Sequence, residues 1–107
     1  MSPEGPFRHF HDQLTALNHR LLAMSEKAES LVELSVDALL RQDAGKAEAV
    51  IDADRELDAM ELEIEAAALE MLALQQPMAR DLRFIVTTIK VTSDLERVGD
   101  HAVNIAQ

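Results

Sequence analysis

Two pairs of carboxylates set the chemical question in this sequence. Asp54 and Asp58 stand four residues apart, as do Glu96 and Asp100, and each pair lies among Val, Ile, Leu and Ala. On a helix, side chains four apart sit one above the other on a single face. A carboxylate turned toward apolar neighbours must keep a proton, find a cationic partner or hold a metal ion. Spacing alone says little, because acids also stand four apart at 29/33, 33/37, 48/52, 52/56 and 61/65. Position on the helix carries the information.

On a helical wheel, Glu96 falls between Ile85, Ile89 and Val103, with Asp100 one turn on at the edge of the same apolar arc and Asn104 beyond it. Arg83, Lys90, Asp94, Arg97 and His101 share a different, solvated sector, where Asp94 is expected to pair with Lys90 and Arg97. No cation of that helix reaches Glu96. In the preceding segment, Asp52, Glu56, Glu63 and Glu70 take the solvated side. Asp54, Asp58, Glu61 and Glu65 form a separate stripe, flanked by Val50, Ala68 and Leu72 on one side and by Ile51, Leu62 and Leu69 on the other. Like charges in line repel, and more strongly where water is excluded. The pairs 29/33 and 33/37 read as ordinary solvated face, with Lys27 nearby.

Two oxygens one turn apart on each of two adjacent helices can surround one cation, as in carboxylate sites of helical bundles. All-oxygen ligation in a chain without cysteine suits Mg, Ca, Mn or Fe, with Zn and Ni also compatible. The metal ligands expected here are Glu96, Asp100, Asp54 and Asp58. The Glu-x-x-His pattern of di-iron oxidases is absent, which argues against redox catalysis. His9 and His11 are two apart and do not share a helix face. The chain holds no Gly-rich phosphate loop and no cysteine nucleophile, and it proposes no reaction.

The elements that must position these groups are helices. Of the 107 residues 48% are hydrophobic but only 3% aromatic, a balance of Ala, Leu, Glu and Asp that builds packed helices rather than sheets. Breakers at Pro3, Gly5 and Pro6, at Gly45 and at Pro77 mark out three helices, at about residues 7–42, 46–75 and 77–107. In the first, Phe7, Phe10, Leu14, Leu17, Leu21, Met24, Ala28 and Leu31 alternate steps of three and four, the seam of a left-handed bundle. A helix of that length spans roughly 50 Å. The expected fold is therefore all-α, a slender up-down-up three-helix bundle with tight connections. The wide apolar arc of the third helix, from Ile105 through Phe84 to Ile89, favours further association into a six-helix or larger assembly, a homo-oligomer such as a dimer. The pattern stops at Gln107 with no Gly, Pro or basic last turn, so the chain reads as a fragment or half-molecule.

A formal charge of −10 repels nucleic acid and anionic bilayers. No apolar run is long enough for a membrane span, and no export signal opens the chain, so a cytoplasmic setting is expected.

The run Gln76-Pro77, then Asp81-Leu82-Arg83, then Leu95-Glu96-Arg97-Val98-Gly99-Asp100 followed by His101-Ala102-Val103-Asn104-Ile105-Ala106, resembles the signature of the PhoU family. The segment Val50 to Glu65, VIDADRELDAMELEIE, is similar to that family's second helix. The resemblance implies a three-helix repeat that occurs as two tandem copies, with E(D)xxxD motifs binding metal. By position, Glu96 and Asp100 occupy the ERxGD motif, and Asp54 and Asp58 the DxxxD of the helix before. It also implies a non-enzymatic regulator of phosphate uptake and phosphate-starvation signalling. Its partners would be the ATPase of the phosphate ABC transporter and a phosphate sensor histidine kinase, met at the cytoplasmic face of the inner membrane. Two other readings of the same residues stay open: a metal-dependent enzyme or metal-storage protein, and a dimerisation module whose acidic stripe meets a basic partner.

Overall fold

Steps of three and four along each segment become three helices that bury one stripe apiece. A computed structural model describes residues 6–75 and 77–106. It contains α1 (Pro6–Arg41), α2 (Ala44–Gln75) and α3 (Ala79–Ala106), with no strand among the described residues. Each helix packs on both others in an up-down-up bundle of 61 × 23 × 16 Å. Two apolar clusters fill its axis. The larger joins Leu17, Met24 and Ala28 of α1 to Leu57, Ile64, Ala68 and Met71 of α2 and Ile85 of α3. The smaller, toward the α1–α2 turn, joins Leu31, Val50 and Ala102. Full burial of one Leu or Ile side chain contributes about 1.5–3 kcal/mol, so this axis dominates the stability.

The α1–α2 turn differs from the sequence reading, which placed the break at Gly45 and ended the first helix at 42. The left-handed residue is Gln42, with φ 52°. Around it, Asp43 N–H donates to Ala38 O at 3.1 Å and Gln42 N–H to Leu39 O at 3.4 Å, the paired bonds that close a helix C-terminus. Asp43 then caps α2, its Oδ1 accepting from Lys46 N–H at 3.2 Å. With the cap at Asp43, Gly45 falls inside the first turn of α2. A side chain in the left-handed region costs roughly 1 kcal/mol, and the double closure holds it there.

The start of α3 is corrected as well. Its first bond runs from Leu82 N–H to Met78 O, at 2.9 Å. Met78 therefore takes the capping position and Pro77, expected in the first turn, stands one residue before it. The expected end at Gln107 lies outside the described residues.

The inward face of α3 is built from small or hydroxyl side chains: Thr88, Thr92, Gly99 and Ala102 are buried together with Ile85. Thr88 donates to Phe84 O at 2.8 Å and Thr92 to Thr88 O at 2.7 Å, so neither hydroxyl is left unpaired in the core. Small groups on this face let α2 come close.

Candidate metal centre

At Gly99, α2 packs against α3 so closely that no side chain fits between them. A Cβ there would lie 2.6 Å from Asp54 Oδ1 and 2.6 Å from Leu57 Cδ2, nearer than packed atoms allow. A missing side chain thus makes room for a carboxylate between two helices. Leu57 anchors α2 at this level, wholly buried, and turns Asp54 and Asp58 to the flank that faces α3.

Carboxylate oxygens of Asp54, Glu96 and Asp100 lie within 4.8 Å of one another. Asp54 and Glu96 are half-buried and Asp100 is exposed, so the group opens to solvent on one side. Asp58, also half-buried, stands outside that tight group but against Glu96, close enough to share its proton. Three buried oxygens, Asp54 Oδ1, Asp58 Oδ1 and Glu96 Oε2, accept no hydrogen bond. Buried acceptors without partners are rare in folded proteins, and here three occur in one groove.

The electrostatics follow from that crowding. Burial, the proton shared with Asp58, and the charges of Asp58, Glu61 and Asp54 push Glu96 from its ordinary 4.5 up to about 8. Asp54 is raised by burial, then by Asp58 and Asp100. Glu61 is raised by burial, then by Glu65, Asp58 and Asp100. Glu61 was read from the sequence as part of the α2 stripe but not as a candidate ligand. Its separation of three from Asp58 places it one turn further along the same groove.

These donors fit a hard or borderline cation: all are carboxylate oxygens, several lack any partner, and none has a nearby Lys or Arg among the described residues. Positive charge placed between them would lower every raised carboxyl at once.

Two further expectations change. Leu62 and Leu69 were read as part of an apolar wall enclosing the stripe, but they are 65% and 59% exposed and form an outer rim. Asp94 was expected to pair with Lys90 and Arg97; among the described residues no such ion pair forms, because long exposed side chains lose more rotamer freedom than the screened attraction returns.

A domain family described as PhoU domain matches residues 21–107. The chain belongs to the PhoU family. It is 44% identical over 99 residues to a phosphate-specific transport system accessory protein PhoU homolog of Clostridium acetobutylicum, covering 92% of this chain and 45% of that protein. Homologs of the same description in Aquifex aeolicus and Caulobacter vibrioides are each 38% identical, over 95 and 104 residues. Those matches cover 89% and 97% of this chain, and 43% and 45% of the relatives. The chain thus spans about half the length of the curated relatives it matches. Their names describe accessory proteins of a PhoU type, not enzymes. No helix among the described residues is long and apolar enough to cross a membrane.

Proposed function

We propose that this PhoU domain is a non-enzymatic regulatory unit for phosphate uptake and phosphate-starvation signalling, with a metal ion held between α2 and α3. The observation that carries the metal half is the set of three partnerless buried oxygens on Asp54, Asp58 and Glu96. Asp54, Glu96 and Asp100 would be direct ligands, Asp58 would complete or orient the set, and Fe, Mn, Mg, Ca, Zn or Ni would supply the missing positive charge. A neutralised groove changes the charge and shape of a surface, which is what a regulator needs. The phosphate half rests on the relatives, named as accessory proteins of the phosphate-specific transport system. On that reading the protein is cytoplasmic, peripheral to the inner membrane, and meets the transporter ATPase and the sensor kinase there. It also associates with itself, which the exposed Leu62, Leu69, Leu82 and Val86 support.

The test is elemental analysis of purified protein together with its solution mass. Wild type should carry stoichiometric metal, and the Glu96→Ala/Asp100→Ala double variant should carry none while keeping its helical circular dichroism. Equal metal in both would refute the site. Capture of the transporter ATPase by wild type, weakened in the double variant, would tie metal to partner.

A further inference from the structure

Each helix has an inner seam in the core, but α1 has a second one on the outside. Leu22, Glu26, Glu29, Glu33, Val36 and Leu40 follow one another by four, three, four, three and four residues, and all six are exposed. Leu22 is 54% and Leu40 is 78% exposed. Apolar residues repeating at helical spacing on a solvated face are the pattern of a helix that packs against another.

The charges on this seam are unspent. Lys27, the cation nearest in sequence, turns inward to pair with Glu56 of α2. Asp37 is held by Arg41 and Lys46. Among the described residues, Glu26, Glu29 and Glu33 have no cation within 4 Å.

The complement is on α3. Arg83, Lys90 and Arg97 repeat every seven residues along its exposed face, with Asp94 between the last two and Asp100 one turn beyond. None of the three has a carboxylate within 4 Å among the described residues, and Leu82 and Val86 are exposed at the same end. Lys90 to Arg97 and Glu26 to Glu33 are both seven residues, about 10.5 Å along a helix. Opposite charges at heptad spacing on the edges of packed helices set partner and register.

We infer that the outer seam of α1 docks antiparallel on the basic ridge of α3 in a second copy of this chain, Glu26 and Glu33 meeting two of the three cations while Val36 and Leu40, at one end of the seam, cover Leu82 and Val86. This inference rests on the self-association in the proposed function and not on the metal. One copy offers α1 and receives on α3, so the contact is head-to-tail and each pair leaves one face of each kind free. A bilayer is the weaker occupant. The chain carries −10 overall, and it has no Trp or Tyr to seat at a lipid surface.

The experiment uses two variants of the chain, Arg83→Glu/Lys90→Glu and Glu26→Lys/Glu33→Lys, with helicity and melting checked first. In sedimentation velocity at roughly 50 mM salt, wild type should self-associate, each variant alone should bind itself at least about tenfold more weakly, and both effects should shrink at about 500 mM. An equal mixture should regain association, because the acidic seam of the first variant meets the unchanged ridge of the second and the reversed ridge of the first meets the reversed seam of the second. A wild type that stays monomeric at low salt overturns the inference. So does a mixture no better than its parts. Ridge-dependent binding to phosphatidylglycerol vesicles with self-association unchanged would overturn it as well, assigning the ridge to lipid. Metal content measured on the same samples separates the two proposals: a wild type that carries metal yet stays monomeric sinks this inference and leaves the metal site standing.

Discussion

The α1–α2 turn and the α2–α3 groove treat acidic residues in opposite ways. At the turn, Asp37 accepts from Arg41 Nε at 2.7 Å and is bridged by Lys46, and these two bonds hold its carboxyl below the usual carboxylate range. Asp43 caps a helix. In the groove, Asp54, Asp58 and Glu96 bury oxygens that nothing in the chain serves, and Glu96 keeps its proton to about pH 8. One acid is where it is because its partners come with it. The others cost stability where they are, a cost that the proposed metal ion would relieve.

The largest expected effect comes from closing the groove. Gly99→Ala drives a methyl into Asp54 and Leu57, and should destabilise the chain by about 1–3 kcal/mol as an overpacked contact does. It should also abolish the cation-induced rise in Tm, because α2 and α3 can no longer hold Asp54 beside Glu96. Thermal melts with and without Mn measure both, and a variant that melts and binds like wild type would dissolve the contrast between the two regions.

Next in size is the proton. The folded chain holds Glu96 protonated to about pH 8, whereas an unfolded glutamate releases its proton near 4.5. Between those values the folded state binds the extra proton, so the stability of the metal-free protein falls as pH rises through that window and levels off above it. Glu96→Gln removes the titration, and should raise metal-free stability at pH 8.5 by about 2 kcal/mol while leaving it nearly unchanged at pH 4. Urea melts across that range would show the two curves converging at low pH. A constant offset would mean that Glu96 titrates normally.

The smallest effect should be at the turn. Asp37→Asn breaks two screened ion pairs on the surface and should lower Tm by only a few degrees, with the loss fading at high salt and metal uptake untouched. A salt-independent loss, or altered metal uptake, would erase the difference between a structural acid and a ligand acid.

Much of this was legible in the sequence, for reasons that differ from residue to residue. The three helices follow from uninterrupted runs of heptad spacing, and Glu96 stood out because its neighbours on one face are Ile85, Ile89 and Val103. The turn was misplaced because Gly45 is the obvious breaker, whereas Gln42 takes the left-handed conformation and only the bonds of Ala38 and Leu39 reveal it. Leu62 and Leu69 were read as a wall because a wheel ranks residues by angle and cannot tell how far the neighbouring helix extends. Gly99 stands in the sequence only as a member of the signature run. Its part in the site depends on Leu57 and Asp54, forty or more residues away, and no local pattern connects them. The groove's grouping has the same limit: four of its acids were visible as pairs, but which oxygens converge is set by how two helices cross.

The thinness of the bundle has a consequence for exchange. In a bundle 16 Å across its narrowest dimension, Asp100 is exposed and Asp54, Asp58 and Glu96 are half-buried, so the groove opens to bulk water. A hydrated ion could reach Asp54 and Glu96 by diffusion, without any helix unfolding or hinge opening. On the proposed reading, loading would be limited by encounter with the ion and not by a conformational step, while release would be set by the strength of the carboxylate bonds.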